Sequence, residues 1–387
     1  MVELMLRGLE GDPRFKIFHV DARMSDDLED VGGIRPQKLF RLIKCCMQAL
    51  RIRWKHGPMD LYYVPAPAKK SAIVRDWVVM FLLRPWFSRL IFHWHAFGLG
   101  HWATGTTEFP SGDSGLALEP PQIFGKSGGA VEKLARLLTC RLLHHADISI
   151  VLTNYNKTDA ALLAPKRSVV VPNGSPDPFA GDGFTPTVGG HKKGSPSHDE
   201  RPPQFRALFL AQCTRDKGLF RAIDMIHEAN ACLEKEARDI RVTLTVAGAF
   251  VDEAERLAFE KILTDRPGEI FYAGFVGSEK KSILLAESDC LLFPTEYPGE
   301  TFGLVVAEAL LAGIPALVSP WRGIPEVAQV ERIPWQATAG ELVSLVDREV
   351  DCAMIREIAG KRFSCKAFHE GISKVLLTMS DGKEPEW

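Results

Sequence analysis

The stretch LLFPTEYPGETFGLVVAEALLAGIPALVS, Leu291 to Ser319, decides the fold, because its pattern changes in a way that only a strand–loop–helix unit explains. A short apolar run stops at Pro294, a loop rich in Pro and Gly follows, and a helical pattern begins near Thr301. Backbone amides at the start of such a helix, with Gly303 permitting close approach, make a ready anion site of a size that suits a diphosphate. Glu300 sits at the mouth of the turn, where a carboxylate can accept hydrogen bonds from hydroxyls, and Glu308 lies about two helical turns further on. Two glutamates at this separation mean little on a surface helix; the strand–loop–helix context is what makes them a candidate site.

The same alternation extends in both directions. After Pro203 the expected elements are a strand at Leu208–Leu210, a helix over Gly218–Glu236, and a strand at Val242–Val246. They are followed by a helix over Asp252–Leu263, a strand at Ile270–Tyr272, a helix over Glu279–Ala286 and a strand at Leu291–Phe293. Before Gly181 the expected strands are Phe15–Val20, Leu61–Val64, Leu90–Trp94, Ile148–Thr153 and Val169–Val171, with helices over Pro36–Arg53 and Ala130–His144. Between the halves, Gly181 to Pro203 is nearly devoid of apolar residues and reads as a linker or mobile loop. A chain of 387 residues exceeds one ordinary core. The expectation is therefore α/β, two Rossmann-like doubly wound domains at 1–180 and 206–360, a linker at 181–205, and a helical tail at 361–387 that packs back across the first domain. The last segment, Cys352 to Met379, is expected to be helical. Two such domains normally hold a ligand in the cleft between them, at the carboxyl ends of the strands.

The opening of the chain breaks the pattern. Val2 to Leu9 reads as a helix and the first strand is expected only at Phe15, whereas a doubly wound domain begins with the strand at the centre of its sheet. The first strand of the amino-terminal domain is thus expected to be missing, which a start codon assigned too late or a degenerate protein would explain.

The composition, 46% hydrophobic and 25% charged with a net charge of −2, describes a folded globular chain and gives no sign of a nucleic-acid partner. The totals conceal a basic stretch: Arg35 to Arg89 holds twelve Lys and Arg against two Asp, and Trp54, Trp77, Trp86, Trp94 and Trp102 lie in or just after it. Lys, Arg and Trp together suit a membrane interface, and a solvated face over ordinary core aromatics is the alternative. No apolar run is long enough to span a bilayer, so peripheral contact through 35–90 is the expectation. The eight cysteines show no C-x-x-C spacing and fit buried thiols in a reducing compartment.

Glu300-Thr301-Phe302-Gly303 through Glu308 matches an E-x-F-G-x-x-x-x-E run, with Ala312-Gly313-Ile314-Pro315 and Gly323-Ile324-Pro325-Glu326 following in order. On these residues the chain resembles the family 4 retaining glycosyltransferases of the GT-B architecture, and further matches extend the resemblance over roughly Leu61–Gly360. The resemblance implies that Glu300 contacts the transferred sugar, that the amides of Phe302, Gly303 and Leu304 hold the donor diphosphate, and that Glu308 binds the ribose. Phe209-Leu210-Ala211 followed by Lys217-Gly218 resembles the strand and loop whose lysine neutralises the donor phosphates. The arginine usual five residues before that lysine is Gln212 here, a weaker partner for phosphate, and Arg215 is placed to substitute for it. Gly274-Phe275-Val276 resembles the segment whose main chain reads the base. His95, in His93-Trp94-His95 at a strand end, resembles the family's sugar-facing histidine, although strand-end histidines are commonly structural. Val171-Pro172-Asn173-Gly174 resembles the turn that closes the first domain, and Asn-Gly is expected at positive φ.

The implied reaction is sugar transfer from a nucleotide-diphosphate donor, a UDP- or GDP-sugar, with retention. The acceptor, a saccharide or lipid-linked saccharide, is expected on the first domain. The catalytic residues would be Glu300, Lys217 and His95, and the donor-binding residues Gln212, Gly218, Gly274, Val276, Phe302, Gly303, Leu304 and Glu308. No D-x-D run is placed to hold a metal, so no metal or other cofactor is expected. The setting is expected to be cytoplasmic, at the inner face of a membrane, in bacterial cell-surface polysaccharide assembly. Two competitors share the architecture: a nucleotide-sugar epimerase, and a catalytically weakened nucleotide-sugar or glycan binder.

Overall fold

The computed structural model describes residues 2–22, 36–106, 123–124, 129–179, 203–331 and 333–381. The expected linker falls almost wholly on 180–202, outside the described residues. Contacts divide the chain into two units, one of Asn173–Glu370 and one of Val2–Pro172 together with the chain from Gly371 onward.

The amino-terminal unit contains α1 (Val2–Glu10), α2 (Pro36–His56), β1 (Leu61–Tyr63), α3 (Lys70–Leu83), β2 (Leu90–His93), α4 (Leu99–Thr104), α5 (Ala130–Leu143), β3 (Ile148–Val151), α6 (Asn154–Ala161) and β4 (Ser168–Val170). Its four strands are parallel, in the order β1-β2-β3-β4. β2 and β3 are buried along their whole length, as continuous apolar runs covered on both faces must be. Leu42 and Cys46 of α2, Ile73 and Met80 of α3, and Ala135 and Leu143 of α5 pack with Phe92 and Trp94 into one core.

Among the described residues no strand precedes Leu61, so β1 is an edge. The expected strand at Phe15–Val20 does not form. That segment lies along α2 instead, with the Phe18 ring stacked on His56 at 4.5 Å and the Asp21 carbonyl accepting from the Cys45 thiol. The β-like composition of Phe15–Val20 is real, but a strand exists only where its backbone pairs with another, and this segment packs on α2 and pairs with no described strand.

The carboxyl-terminal elements are β5 (Gln204–Leu210), α7 (Leu219–Lys235), β6 (Arg241–Ala247), α8 (Glu253–Asp265), β7 (Ile270–Gly274), α9 (Ser278–Ala286), β8 (Cys290–Phe293), α10 (Leu304–Ala312), β9 (Ala316–Val318), α11 (Ile324–Ala328), α12 (Ala339–Asp347), α13 (Cys352–Phe363) and α14 (Cys365–Asp381). Its parallel sheet runs β7-β6-β5-β8-β9. The fold is thus two Rossmann-like α/β units. Phe209, Leu244 and Leu292 are fully buried beside Ile223 and Ile226 of α7, and truncating any such residue to Ala typically costs about 2–5 kcal/mol. Side chains of Asp252, Thr338 and Asp351 cap α8, α12 and α13 by accepting from the amides of Glu255, Glu341 and Met354.

Three further departures from expectation bear on the site and its surroundings. α10 begins at Leu304 rather than near Thr301, because Gly303 sits at φ +69° and a left-handed residue lies outside a right-handed helix. The helix expected over Cys352–Met379 is two helices, parted where Ser364 becomes extended at ψ 156°. Neither Asn173 nor Gly174 has positive φ. Gly174 is required for space instead: a Cβ there would lie 2.7 Å from that of Phe368.

Candidate functional site

Strand order reverses at β5. The chain runs outward through β6 and β7, then returns to lay β8 against the other side of β5, with Ala207 opposite Cys290 and Leu208 opposite Leu291. Helices leaving β5 and β8 diverge to opposite faces, which opens a crevice at the carboxyl ends of these two strands. The loops that follow them, 211–218 and 294–303, meet there.

Their contact is close and largely main-chain. Gly218, at φ +88°, caps α7 and abuts Pro294 so tightly that an added Cβ would stand 2.2 Å from the Pro294 carbonyl oxygen. The Asp216 carbonyl accepts from the Glu296 amide at 2.8 Å and from the Thr295 hydroxyl at 3.3 Å. Trp321 donates to the Tyr297 carbonyl at 3.0 Å, and Arg322 donates to the Pro298 carbonyl. Both ends of the Pro/Gly loop are therefore fixed.

Within this frame Lys217 and Glu300 meet. The Lys217 ammonium donates to Glu300 Oε2 at 2.6 Å, while Glu300 Oε1 accepts from the Gly303 amide at 3.1 Å. The ammonium also lies over the Tyr297 ring, 4.3 Å from its centroid. Both charged side chains are about five-sixths buried, at 15% and 17% exposure, so their charges are felt more strongly than at an open surface. The amides at the start of α10 have no partner within the helix and add a positive end to the same lip.

Six predicted residues thus come together: Lys217, Gly218, Glu300, Phe302, Gly303 and Leu304. The Phe302 side chain is buried against Phe363, ring centroids 5.8 Å apart, which leaves only its main chain for a ligand. Glu308, further along α10, accepts from Lys281 of α9 at 2.7 Å and from the Ser175 hydroxyl at 3.5 Å. Gly274 ends β7 at φ +71°, and its carbonyl accepts from Gly248 at 2.9 Å. Val276 lies between that strand end and α9. Gln212 is exposed on the loop after β5. Arg215, the expected substitute for a missing arginine, lies over the Phe220 ring at 4.4 Å, and its amide donates to Glu255.

His95 belongs to the amino-terminal unit, just beyond β2. Its ring lies 4.1 Å from that of His93, whose Nδ1 is 2.6 Å from the Tyr62 hydroxyl. Burial holds His95 down to about 4 and His93 well below the usual histidine range, so both are neutral at pH 7. The loop carrying His95 is anchored by Asp159, which accepts from the amides of Gly98 and His101, each at 2.9 Å.

Sequence reasoning missed Tyr297, Lys281, Ser175 and Asp159. Tyr297 lies inside the quoted loop and an aromatic between Pro and Gly was a usable signal. Lys281 reads as an ordinary helix lysine, and only the packing of α9 beside α10 gives it a partner.

Residues 192–333 match the family glycosyl transferases group 1, so the match covers the strands and loops that build this site. A Klebsiella pneumoniae protein described as an uncharacterized 41.2 kDa protein in a cps region is 28% identical over 124 residues, which is 32% of this chain and 30% of that protein. The fold resembles Anabaena HepE in complex with UDP and glucose, with a TM-score of 0.56 and 16% identity over 87% of this chain and 81% of that one. It also resembles sucrose-phosphate synthase of Thermosynechococcus elongatus, with a TM-score of 0.55 and 17% identity over 92% and 82% of the two chains. A UDP-forming trehalose-phosphate synthase of Burkholderia vietnamiensis gives 0.55 and 14% over 90% and 78%. The family match spans residues 192–333 of the 387, and the solved structures share the fold.

Proposed function

We propose that the chain is a retaining, family 4-type glycosyltransferase that moves a hexosyl group from a UDP- or GDP-sugar to a saccharide or lipid-linked acceptor, in cytoplasmic assembly of a bacterial cell-surface polysaccharide. The observation that carries this reading is the Lys217–Glu300 pair at the β5–β8 switch point, beside the start of α10. That position joins a cation, main-chain donors and a carboxylate, which are what a sugar diphosphate needs. The cps-region description of the Klebsiella protein supports the polysaccharide setting.

In this reading the diphosphate displaces Glu300 from the Lys217 ammonium and takes the amides of Phe302, Gly303 and Leu304. Lys217 then neutralises the charge that grows on the leaving phosphate, a contribution worth most where water is scarce. The released Glu300 carboxylate accepts from sugar hydroxyls, and Glu308 accepts from the ribose hydroxyls. The bond from the anomeric carbon to the diphosphate breaks while the acceptor oxygen bonds to that carbon on the same face. The acceptor proton passes to the departing phosphate oxygen. For neutral His95 the resemblance implies a hydrogen bond to the sugar. No metal is invoked, and turnover is expected to survive EDTA.

A screen of UDP-, GDP- and ADP-sugars for release of nucleoside diphosphate, with Glu300→Ala as control, tests the assignment. Release that persists in this variant would overturn it, and an isomerised nucleotide sugar would mark an epimerase instead. Gln212, with Arg215 engaged on Phe220, favours one second reading, a nucleotide-sugar binder without turnover. Its signature is nucleotide binding with no release from any donor.

A further inference from the structure

Helices α2, α3 and α5 lie side by side over the sheet of the amino-terminal unit, with α3 in the middle. Their inner residues are accounted for by the core: Leu42 and Cys46, Ile73 and Met80, Ala135 and Leu143. Their outer faces are unusually apolar. Phe40 and Phe81 are each 72% exposed, Leu134 and Leu137 are 66% and 65% exposed, and Trp54 is 63% exposed. Phe40, Ile43, Met47 and Trp54 recur at helical spacing on α2, as Val131, Leu134 and Leu137 do on α5, so these are stripes and not scattered residues. Isolated exposed apolar side chains are ordinary, whereas stripes on two helices with the exposed Phe81 of α3 between them are not.

The exposed charges on the same helices have one sign. Lys44, Arg51, Lys55, Lys133 and Arg141 are exposed. The three helices contain two acidic residues in all, Asp76 and Glu132, and both are turned inward at 1% exposure. Asp76 accepts from the Tyr63 hydroxyl and the Ala66 amide; Glu132 accepts from the Trp102 indole and the Phe124 amide. A hollow of about 650 Å³ between the ends of α3 and α5 continues the pattern, with Phe81, Pro85 and Leu137 on its wall and Arg84 and Arg141 at its rim. Trp54 and Trp86 meet edge to face, 6.1 Å apart, where Arg53 of α2 donates to the Trp86 carbonyl.

We infer that the outer face of α2, α3 and α5 is a docking surface for an anionic lipid bilayer, with the apolar stripes inserted at the headgroup level and the lysines and arginines paired with lipid charge. Apolar stripes on helices whose own exposed charges are all cations, with tryptophans at the edge, match that environment. A second copy of the chain fits less well, because self-association would set basic rims against each other. The surface reaches beyond the basic stretch 35–90 to α5, and it stands whatever the carboxyl-terminal unit transfers.

Sedimentation of the full chain with vesicles of phosphatidylglycerol and phosphatidylcholine, against phosphatidylcholine alone, tests this. Binding is expected only to the anionic vesicles and should weaken as salt rises. Each cation near an anionic surface strengthens binding roughly fivefold, so Lys44→Glu, Arg51→Glu and Arg141→Glu together should lower partitioning by at least about tenfold. Phe40→Asp, Phe81→Asp and Leu137→Asp together should do the same, and all six positions are exposed, so circular dichroism should stay that of the parent. A control with Lys235→Glu, Lys261→Glu and Lys361→Glu, exposed residues of the other unit, should bind as the parent does. The inference is overturned if the parent ignores anionic vesicles or if the control loses binding equally. It is also overturned if the aspartate variant binds vesicles normally and only loses a dimer seen by sedimentation velocity.

Discussion

Gly218→Ala tests whether the candidate site depends on the close meeting of two loops. At φ +88° an alanine is held in a left-handed conformation that costs about 1–2 kcal/mol. Its Cβ would also stand 2.2 Å from the Pro294 carbonyl oxygen, and real contacts begin near 3.0 Å, so the loop after β8 must retreat by about 0.8 Å. The facing partner is backbone, and no flexible side chain can yield in its place. Strain and displacement together predict a loss of about 2–3 kcal/mol for the carboxyl-terminal unit. For a unit of this size that is a fall of roughly 5–10 °C in its melting transition, followed by scanning calorimetry. The functional effect should exceed the stability effect, because the displaced loop carries Glu300 and the start of α10 while Lys217 stays with β5. A shift of this order in a positioned group can cost about 100-fold in turnover. Nucleotide affinity by titration calorimetry and nucleotide release, both well below the melting transition, read this out. Gly277→Ala is the matched control, since nothing lies within 4 Å of its added Cβ. If Gly218→Ala melts within about 1 °C of the parent and releases nucleotide at the parental rate, the crevice between β5 and β8 is not the site.

Other perturbations address single groups. Lys217→Met should lower nucleotide release by roughly 100- to 1,000-fold with circular dichroism unchanged, and Lys217→Arg should recover only part of it, because a planar fork does not replace a point charge. Equal activity of parent and Lys217→Met in steady-state assays would remove Lys217 from the mechanism. Glu308→Gln should raise the donor KM about tenfold with little change in kcat, the signature of lost ground-state binding, and an unaltered KM would contradict the ribose assignment. His93 and His95 titrate below their ordinary value in the folded unit, so the unfolded chain binds the extra protons first as pH falls. Their contribution is intact above about pH 6.5 and is lost toward pH 4, at up to about 1.4 kcal/mol per pH unit for the buried His93. Urea midpoints from pH 7 to 4 should decline less steeply in His93→Gln/His95→Gln; an identical slope would refute the sign.

The βα alternation, the buried parallel strands and the glycine turn ahead of α10 were all legible in the sequence, because each follows from local periodicity and from residues that restrict their own backbone. The placement of Glu300, Gly303 and Glu308 on one continuous strand–loop–helix stretch was legible for the same reason, whereas their roles rested on the family resemblance. Phe15–Val20 could not be read correctly, since strand composition is a property of the segment and strand pairing a property of its neighbours. The positive φ expected for Asn173-Gly174 failed similarly: the glycine answers to Phe368, far along the chain. What only the tertiary structure decided are the pairings across long separations, Lys217 with Glu300 and Lys281 with Glu308, and the outward face shared by α2, α3 and α5. The reason is physical. Hydrogen bonds and side-chain rotations constrain a chain over a few residues, whereas the order of strands in the sheet decides which distant loops and helices meet.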